Sequence, residues 1–145
     1  MVIQIYAPTE DSSEEDKDDI YEQLQWSTRY QSMISNWLLV TLMLKWVKTT
    51  RDLKTDGKNG VGMRNDNGSR LVDFCDYNNL VITGTCFPHK EIHKLTWRSP
   101  DGQILNQIDH IIVSRQHRSS VMDTRVMRNA DISSNHYPLP ISEQS

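Results

Sequence analysis

Short apolar runs separated by polar stretches predict an alternating α/β chain. Residues 2–6 alternate in a strand-like pattern that ends before Pro8. A helix is expected to follow, because Ser12 or Ser13 can cap it and acidic residues fill its first turn. The apolar face of this helix would consist of Ile20, Tyr21 and Leu24.

The second half of the chain continues the same alternation. Residues 54–69 hold four glycines among Asn and Asp, which predicts a loop. Apolar residues at helical spacing then predict a helix over 71–80. Strands are expected at 81–83, 95–97, 108–114 and 124–127, and the tail of residues 140–145 is expected to be disordered.

The apolar run of residues 37–46 has no clean period, so its pattern leaves a buried strand and a short helix equally open. It has a Trp at each end and a lysine, Lys45, near its close. The run is too short to span a bilayer, and no membrane association is expected from it.

Length and composition favour one domain in a reducing compartment. A chain of 145 residues buries one core. Its two cysteines form neither a disulfide framework nor a zinc pattern. Residue Met1 leads directly into a strand pattern, so no secretory leader is expected. The net charge is −3, and residues 10–22 alone carry −7, which leaves +4 on the remainder. A mildly basic body is compatible with phosphate binding and is equally usual for a solvated surface.

Candidate chemistry lies in two segments near the end of the chain. Residues 106–114 (Asn-Gln-Ile-Asp-His-Ile-Ile-Val-Ser) predict a strand that contains an acidic residue, Asp109. A buried carboxylate needs a partner, and His136 in the segment Ser-Ser-Asn-His can supply it. A histidine held by a carboxylate has a fixed tautomer and can act as a general acid or base. The alternative is an ordinary strand with a surface Asp and a loop His.

Together with residues 2–9 (Val-Ile-Gln-Ile-Tyr-Ala-Pro-Thr), 65–68 (Asn-Asp-Asn-Gly) and 95–100 (Leu-Thr-Trp-Arg-Ser-Pro), these segments resemble the endonuclease/exonuclease/phosphatase superfamily. More narrowly, the chain resembles the endonuclease domain of non-LTR retrotransposon endonuclease/reverse transcriptases and craniofacial development protein 2-like sequences. The resemblance covers residues 2–139 and implies an α+β fold, the C-terminal part of a four-layered two-sheet β-sandwich flanked by helices. The early strands of that fold, with a metal-binding Glu, are expected before Met1.

The resemblance also implies a site. Tyr6, Asp109 and His136 fall at positions that are catalytic in the family, so the resemblance implies the same role for them here. For Tyr6 the alternative is an aromatic side chain that packs on the core. Asn135 stands where the family has a metal-binding Asp, and Trp97 and Asn106 fall at substrate-binding positions, although core packing is the commoner role for such a Trp. The family implies Mg²⁺ as cofactor and DNA as partner, and hence access to the nucleus.

The family's Gly-Asp-x-Asn motif does not occur in this chain. Where it belongs, the neighbouring reading frame permits His-Asp-Ile-x-Leu-Val-Thr-Gly-Asp-Phe-Asn-Ala-Lys-Val-Gly. The codons of Met33 and Trp46 force the first Asp and the last Gly of that segment. We therefore hypothesise that residues 26–55 are read out of frame.

Three functions are consistent with these observations. The first is a fragment of a metal-dependent, phosphodiester-cleaving retrotransposon endonuclease that is inactive as written. The second is a cellular phosphoesterase of the same superfamily. The third is a non-catalytic module that binds nucleic acid or protein through its basic body.

Overall fold

The computed structural model describes residues 2–5, 8, 11–34, 39–43, 65–103, 105–127 and 135–143. In these described ranges, two helices, α1 (Glu14–Ile34) and α2 (Asp66–Tyr77), accompany eight strands. The strands are β1 (Val2–Ile5), β2 (Leu39–Met43), β3 (Leu80–Ile82), β4 (Trp97–Arg98), β5 (Leu105–Asn106), β6 (Asp109–Ser114), β7 (Val121–Thr124) and β8 (Ile141–Glu143). Short 3₁₀ turns lie at Thr83–Thr85, Glu91–His93 and Arg115–Ser120. The α+β class expected from the sequence is confirmed.

Helix α1 begins where the sequence predicts it. Of the two candidate caps, Ser13 is the one used, since its hydroxyl accepts the Asp16 N–H at 3.1 Å. Three acids in the first turn complement the positive end of the helix dipole. Leu24 is buried and packs with the apolar face of α2, and Ile20 and Tyr21 cover the edge of that contact.

Helix α2 begins inside the stretch predicted as loop. Asn65 caps it by accepting the Gly68 N–H at 2.9 Å, so the loop prediction for 54–69 is wrong from Asp66 onward. The helix forms despite the low helix propensity of Gly68, because the Asn65 cap satisfies a backbone N–H of the first turn and later residues of the helix bury an apolar face. Residues 54–64 lie outside the described part of the chain. The helix is followed by Asn79 in the left-handed region, which this residue type tolerates.

A four-stranded mixed sheet with the order β1-β2-β6-β3 forms the centre. The apolar run of residues 37–46 contains strand β2, which lies parallel to β1 and antiparallel to β6. Strand β6 pairs with β3 on its other side, with Ile112 opposite Ile82. The strand alternative therefore holds for residues 39–43, because β1 and β6 would each have an unpaired edge without a strand between them.

The sheet is covered on both faces. Towards the helices, Ile82 and Ile112 pack with Leu71, Phe74 and their neighbours in one apolar cluster. On the opposite face a smaller cluster consists of Val81, Val113 and Val121, with Cys86 and Phe87 beside it. Burial on both sides explains why the centre of β6 is continuously apolar rather than alternating.

The end of the chain differs from its prediction. A strand was expected at 124–127, but β7 ends at Thr124. A disordered tail was expected at 140–145, whereas residues 141–143 form β8 and pair with β7. An open strand edge offers unpaired backbone groups, and the residues after Pro140 satisfy them. Within the described residues, no helix is both long enough and apolar enough to cross a membrane.

Candidate active site around Asp109 and His136

Asp109 and His136 lie 27 positions apart in the chain and form a hydrogen-bonded couple. The distance from His136 Nδ1 to Asp109 Oδ2 is 2.9 Å. A carboxylate can only accept, so Nδ1 carries the proton and Nε2 is left as an acceptor. The Asp109 side chain is 14% exposed and that of His136 33%. The carboxylate is thus largely shielded, while the imidazole can meet a ligand.

Two backbone contacts bring His136 to this position. The segment 135–137 runs antiparallel to β4, with His136 opposite Trp97 in an isolated bridge. Arg98 N–H donates to the carbonyl of Asn135 at 2.9 Å, and Tyr137 N–H donates to the carbonyl of Thr96 at 2.7 Å. The couple is therefore assembled by β4, which no pattern in the sequence links to residue 136.

Three of the predicted site residues lie in one row. Trp97 is opposite Asn106 on β5 and opposite His136 on its other side. Residues directly opposite each other in a ladder present their side chains on the same face. Asn106, Trp97 and His136 consequently share a face, and Asp109 joins it through its hydrogen bond.

Asn135 lies elsewhere. Side chains alternate along an extended segment, so Asn135 and Tyr137 lie on the face opposite to His136. There they line an open groove of about 420 Å³ together with Arg98 and the turn of residues 99–102. Asn135 therefore shares a groove with the Arg98 side chain and lies on the face opposite to the Asp109–His136 couple.

The turn beside this groove is held by its own polar groups. Asp101 accepts from the Ser99 hydroxyl and from Gln103 N–H, which lowers the pKa of its carboxyl below the ordinary value. Gly102 has a φ of +75°, and a side chain there would meet the guanidinium of Arg98. The missing side chain of Gly102 leaves room for that guanidinium along the groove.

The described residues do not fit the Mg²⁺ site that the family resemblance implies. No three His, Cys, Asp or Glu side chains in the described ranges converge closely enough to hold a metal ion. Asn135 offers a neutral amide oxygen, a poor ligand for Mg²⁺, and it shares its groove with Arg98. The predicted catalytic Tyr6 lies outside the described residues.

Sequence reasoning missed two features. Thr96 accepts hydrogen bonds from the backbone N–H of Asp109 and from that of Tyr137, the residue after His136, and only its place before Trp97 hinted at a role. A second histidine–carboxylate pair joins His89 to Asp123, whose other oxygen is 3.5 Å from Arg125 Nε. Nothing in the spacing of residues 89 and 123 could have found this pair, because two 3₁₀ turns and three strands lie between them.

Comparison with solved structures defines the class of fold. The 3′-5′ exonuclease NExo from Neisseria meningitidis superposes on 99% of this chain and 61% of its own with a TM-score of 0.69 and 17% identity. A Neisseria NExo structure described as a 3′ phosphatase bound to product DNA hairpin gives the same values. The endonuclease domain of TRAS1, a telomere-specific non-LTR retrotransposon, gives a TM-score of 0.65 at 12% identity over 99% of this chain and 57% of that domain. This chain has the fold of part of an endonuclease/exonuclease/phosphatase domain, as its motifs predicted.

Sequence comparison shows which curated proteins this chain is similar to. The chain is 37% identical over 135 residues to craniofacial development protein 2 of Bos taurus and 36% identical to that of Tragulus javanicus. These matches cover 93% of this chain but only 23% and 24% of the two relatives. No protein-family model matches the chain.

Proposed function

We propose that this chain is part of a retrotransposon-type endonuclease domain for DNA that retains a histidine–aspartate couple and has lost carboxylates needed for hydrolysis. The observation that carries the proposal is the 2.9 Å hydrogen bond between His136 Nδ1 and Asp109 Oδ2. The similarity of this chain in fold to nucleases and a phosphatase supports phosphoester chemistry as the ancestral activity.

The couple is suited to one half of such a reaction. With Nδ1 bound to Asp109, the Nε2 atom of His136 is the ring nitrogen that would accept a proton from water or, once protonated, bind a phosphoryl oxygen. The neighbouring carboxylate stabilises the imidazolium that forms. Trp97 and Asn106 lie on the same face and supply the surface against which a nucleotide would rest.

The other half of the reaction is missing. The Gly-Asp-x-Asn motif is absent from the chain, and Asn135 replaces the expected Asp. Groups that act as one catalytic unit are strongly interdependent, and loss of one member costs orders of magnitude in rate. We therefore expect this polypeptide to lack measurable hydrolysis.

Binding of nucleic acid without cleavage is the second function that an observation favours. Arg98 lines an open groove with Asn135, Tyr137 and the Asp101 carboxylate, and its guanidinium is the group there that would bind a phosphate. Affinity from such contacts falls steeply with salt, because each neutralised phosphate releases counterions.

A plasmid-nicking assay with Mg²⁺ tests the loss of hydrolysis. The chain and its His136→Ala variant are expected to leave supercoiled plasmid intact. Nicking by the unaltered chain that disappears in His136→Ala would show that the couple works with an intact metal centre, and the proposed loss would be wrong. Nicking that survives in His136→Ala would indicate a contaminant.

Binding is measured by fluorescence anisotropy of labelled DNA over a salt series. Arg98→Ala is expected to weaken binding and to reduce the salt slope by about one. Arg125→Ala is the matched control, since Arg125 is 62% exposed and pairs with Asp123 away from the groove residues. Equal effects of the two variants would assign binding to overall charge and not to the groove.

A further inference from the structure

We propose that Thr96 is the positioning residue that holds Asp109 and His136 in register with each other. The inference rests on the proposed role of the couple and adds the residue on which its geometry depends. Thr96 has no exposed surface, so it would act only through the two residues of the couple.

The first arm of the contact is the Thr96 side chain. Its Oγ1 accepts two backbone N–H groups, from Ile108 at 3.0 Å and from Asp109 at 2.9 Å. Both donors lie at the point where the chain enters β6. The hydroxyl therefore fixes the backbone from which the Asp109 carboxylate projects.

The second arm is the Thr96 backbone. Its carbonyl accepts the Tyr137 N–H at 2.7 Å, and its N–H donates to the carbonyl of Asn106 at 2.9 Å. The first of these bonds fixes the residue after His136. Thr96 is thus hydrogen-bonded both to the start of β6, which carries Asp109, and to the segment 135–137, which carries His136.

A residue with this role must be a hydrogen-bond acceptor and must be small. Valine has the shape of threonine but cannot accept, and it would leave two part-buried N–H groups without their partner. Serine keeps the hydroxyl. If the hydroxyl positions Asp109, then Thr96→Val separates the carboxylate from His136 while Thr96→Ser preserves the couple.

The test is the protonation site of the His136 ring, measured by ¹⁵N NMR of the full chain at a pH where the ring is neutral. In the unaltered protein Nδ1 is expected to carry the proton. Thr96→Val is expected to lower the ratio of Nδ1–H to Nε2–H tautomers by about fivefold, the factor that one net hydrogen bond contributes. Thr96→Ser is expected to retain the ratio, and Asp109→Asn marks the spectrum without the carboxylate.

Thr85→Val is the control for a structural effect. Thr85 is equally buried, and its hydroxyl donates to the Ile82 carbonyl at 2.8 Å. A tautomer ratio that is unchanged in Thr96→Val, or that shifts equally in Thr85→Val, would overturn the proposal. If Thr96→Val does not fold, Thr96→Cys replaces it, because a thiol is a weaker acceptor of similar size and should give an intermediate ratio.

The tautomer is measured without turnover, so the two proposals fail separately. A shift in Thr96→Val alongside unexpected plasmid nicking would uphold the positioning role and overturn the loss of hydrolysis. An unchanged tautomer in a chain that does not nick would overturn the positioning role alone.

Discussion

Gly102 lies directly against the guanidinium of Arg98, so that a Cβ at residue 102 would lie 3.0 Å from Arg98 Cζ. Its backbone has a φ of +75°, in the left-handed region that L side chains avoid. Because Gly102 has no side chain, it can adopt the backbone conformation of this turn and also leave space for the Arg98 guanidinium.

Gly102→Ala is therefore expected to lower the free energy of unfolding by about 1–2 kcal/mol from backbone strain. The clash adds little, because the Arg98 guanidinium is the far end of a flexible side chain and can move aside. Urea denaturation measures the cost. In an Arg98→Ala background the substitution should cost about the same, and a clearly smaller cost there would show that Arg98 is held rigidly against Gly102.

The two cysteines should differ in reactivity. Burial raises the pKa of the Cys75 thiol far above its ordinary value, and the thiolate is the reactive form. Cys86 is only partly buried. In the native chain iodoacetamide is expected to label Cys86 much faster than Cys75, and urea should remove the difference. Mass spectrometry of the alkylated peptides gives both rates, and rapid native labelling of Cys75 would contradict the packing of α2 on the sheet.

An ion-pair cluster joins the starts of the two helices, and it should make stability depend on acid pH. Arg70 pairs with Glu14, Asp18 and Asp66. The hydrogen bond from Arg70, with Lys17 nearby, lowers the pKa of the Asp66 carboxyl below its ordinary 3.8. A lowered folded-state pKa stabilises the fold above the unfolded value and loses that contribution as pH falls through the folded one.

Stability should therefore decline as pH falls below about 3.8, and less steeply in Arg70→Met. At neutral pH Arg70→Met is expected to cost no more than about 1 kcal/mol, because the acids are well exposed. Thermal unfolding from pH 6 to pH 2 compares the two chains. Arg98→Met, which removes a cation that contacts Gly102, is the control and should leave the acid dependence unchanged.

Asn65 should be the residue that allows α2 to begin at Asp66. Asn65→Ala removes the acceptor for Gly68 N–H and is expected to cost about 1 kcal/mol, whereas Asn65→Ser should cost little since serine also caps. Urea midpoints of the two variants decide this. Equal midpoints would mean that packing alone starts the helix.

The out-of-frame hypothesis for residues 26–55 predicts two compensating base shifts. Sequencing of the transcript across residues 23–62 checks it directly. If an unshifted transcript restores Gly-Asp-Phe-Asn, the chain regains its central Asp and the proposed loss of hydrolysis no longer applies. A transcript that encodes the present residues confirms that this polypeptide lacks the motif.

Several features followed from local sequence alone. The cap and acidic turn of α1 lie within a few residues of each other, so their spacing predicted where that helix begins. The apolar centre of β6 and the pairing need of Asp109 were likewise evident from neighbouring residues. The loop prediction is wrong from Asp66 onward because the cap at Asn65 starts the helix despite the glycine at residue 68.

By itself, the sequence determined the α+β class, the central strand and a carboxylate and histidine able to pair. The tertiary structure decided that residues 39–43 are a strand, that residues 141–143 pair with β7, and that Thr96 fastens both segments of the couple. It also placed Asn135 on the face opposite to His136, beside Arg98. The physical reason is the sequence separation over which each kind of interaction acts. Caps and periodicity act over one or two turns, whereas hydrogen bonds between segments tens of residues apart form only when the whole sheet brings their backbones together.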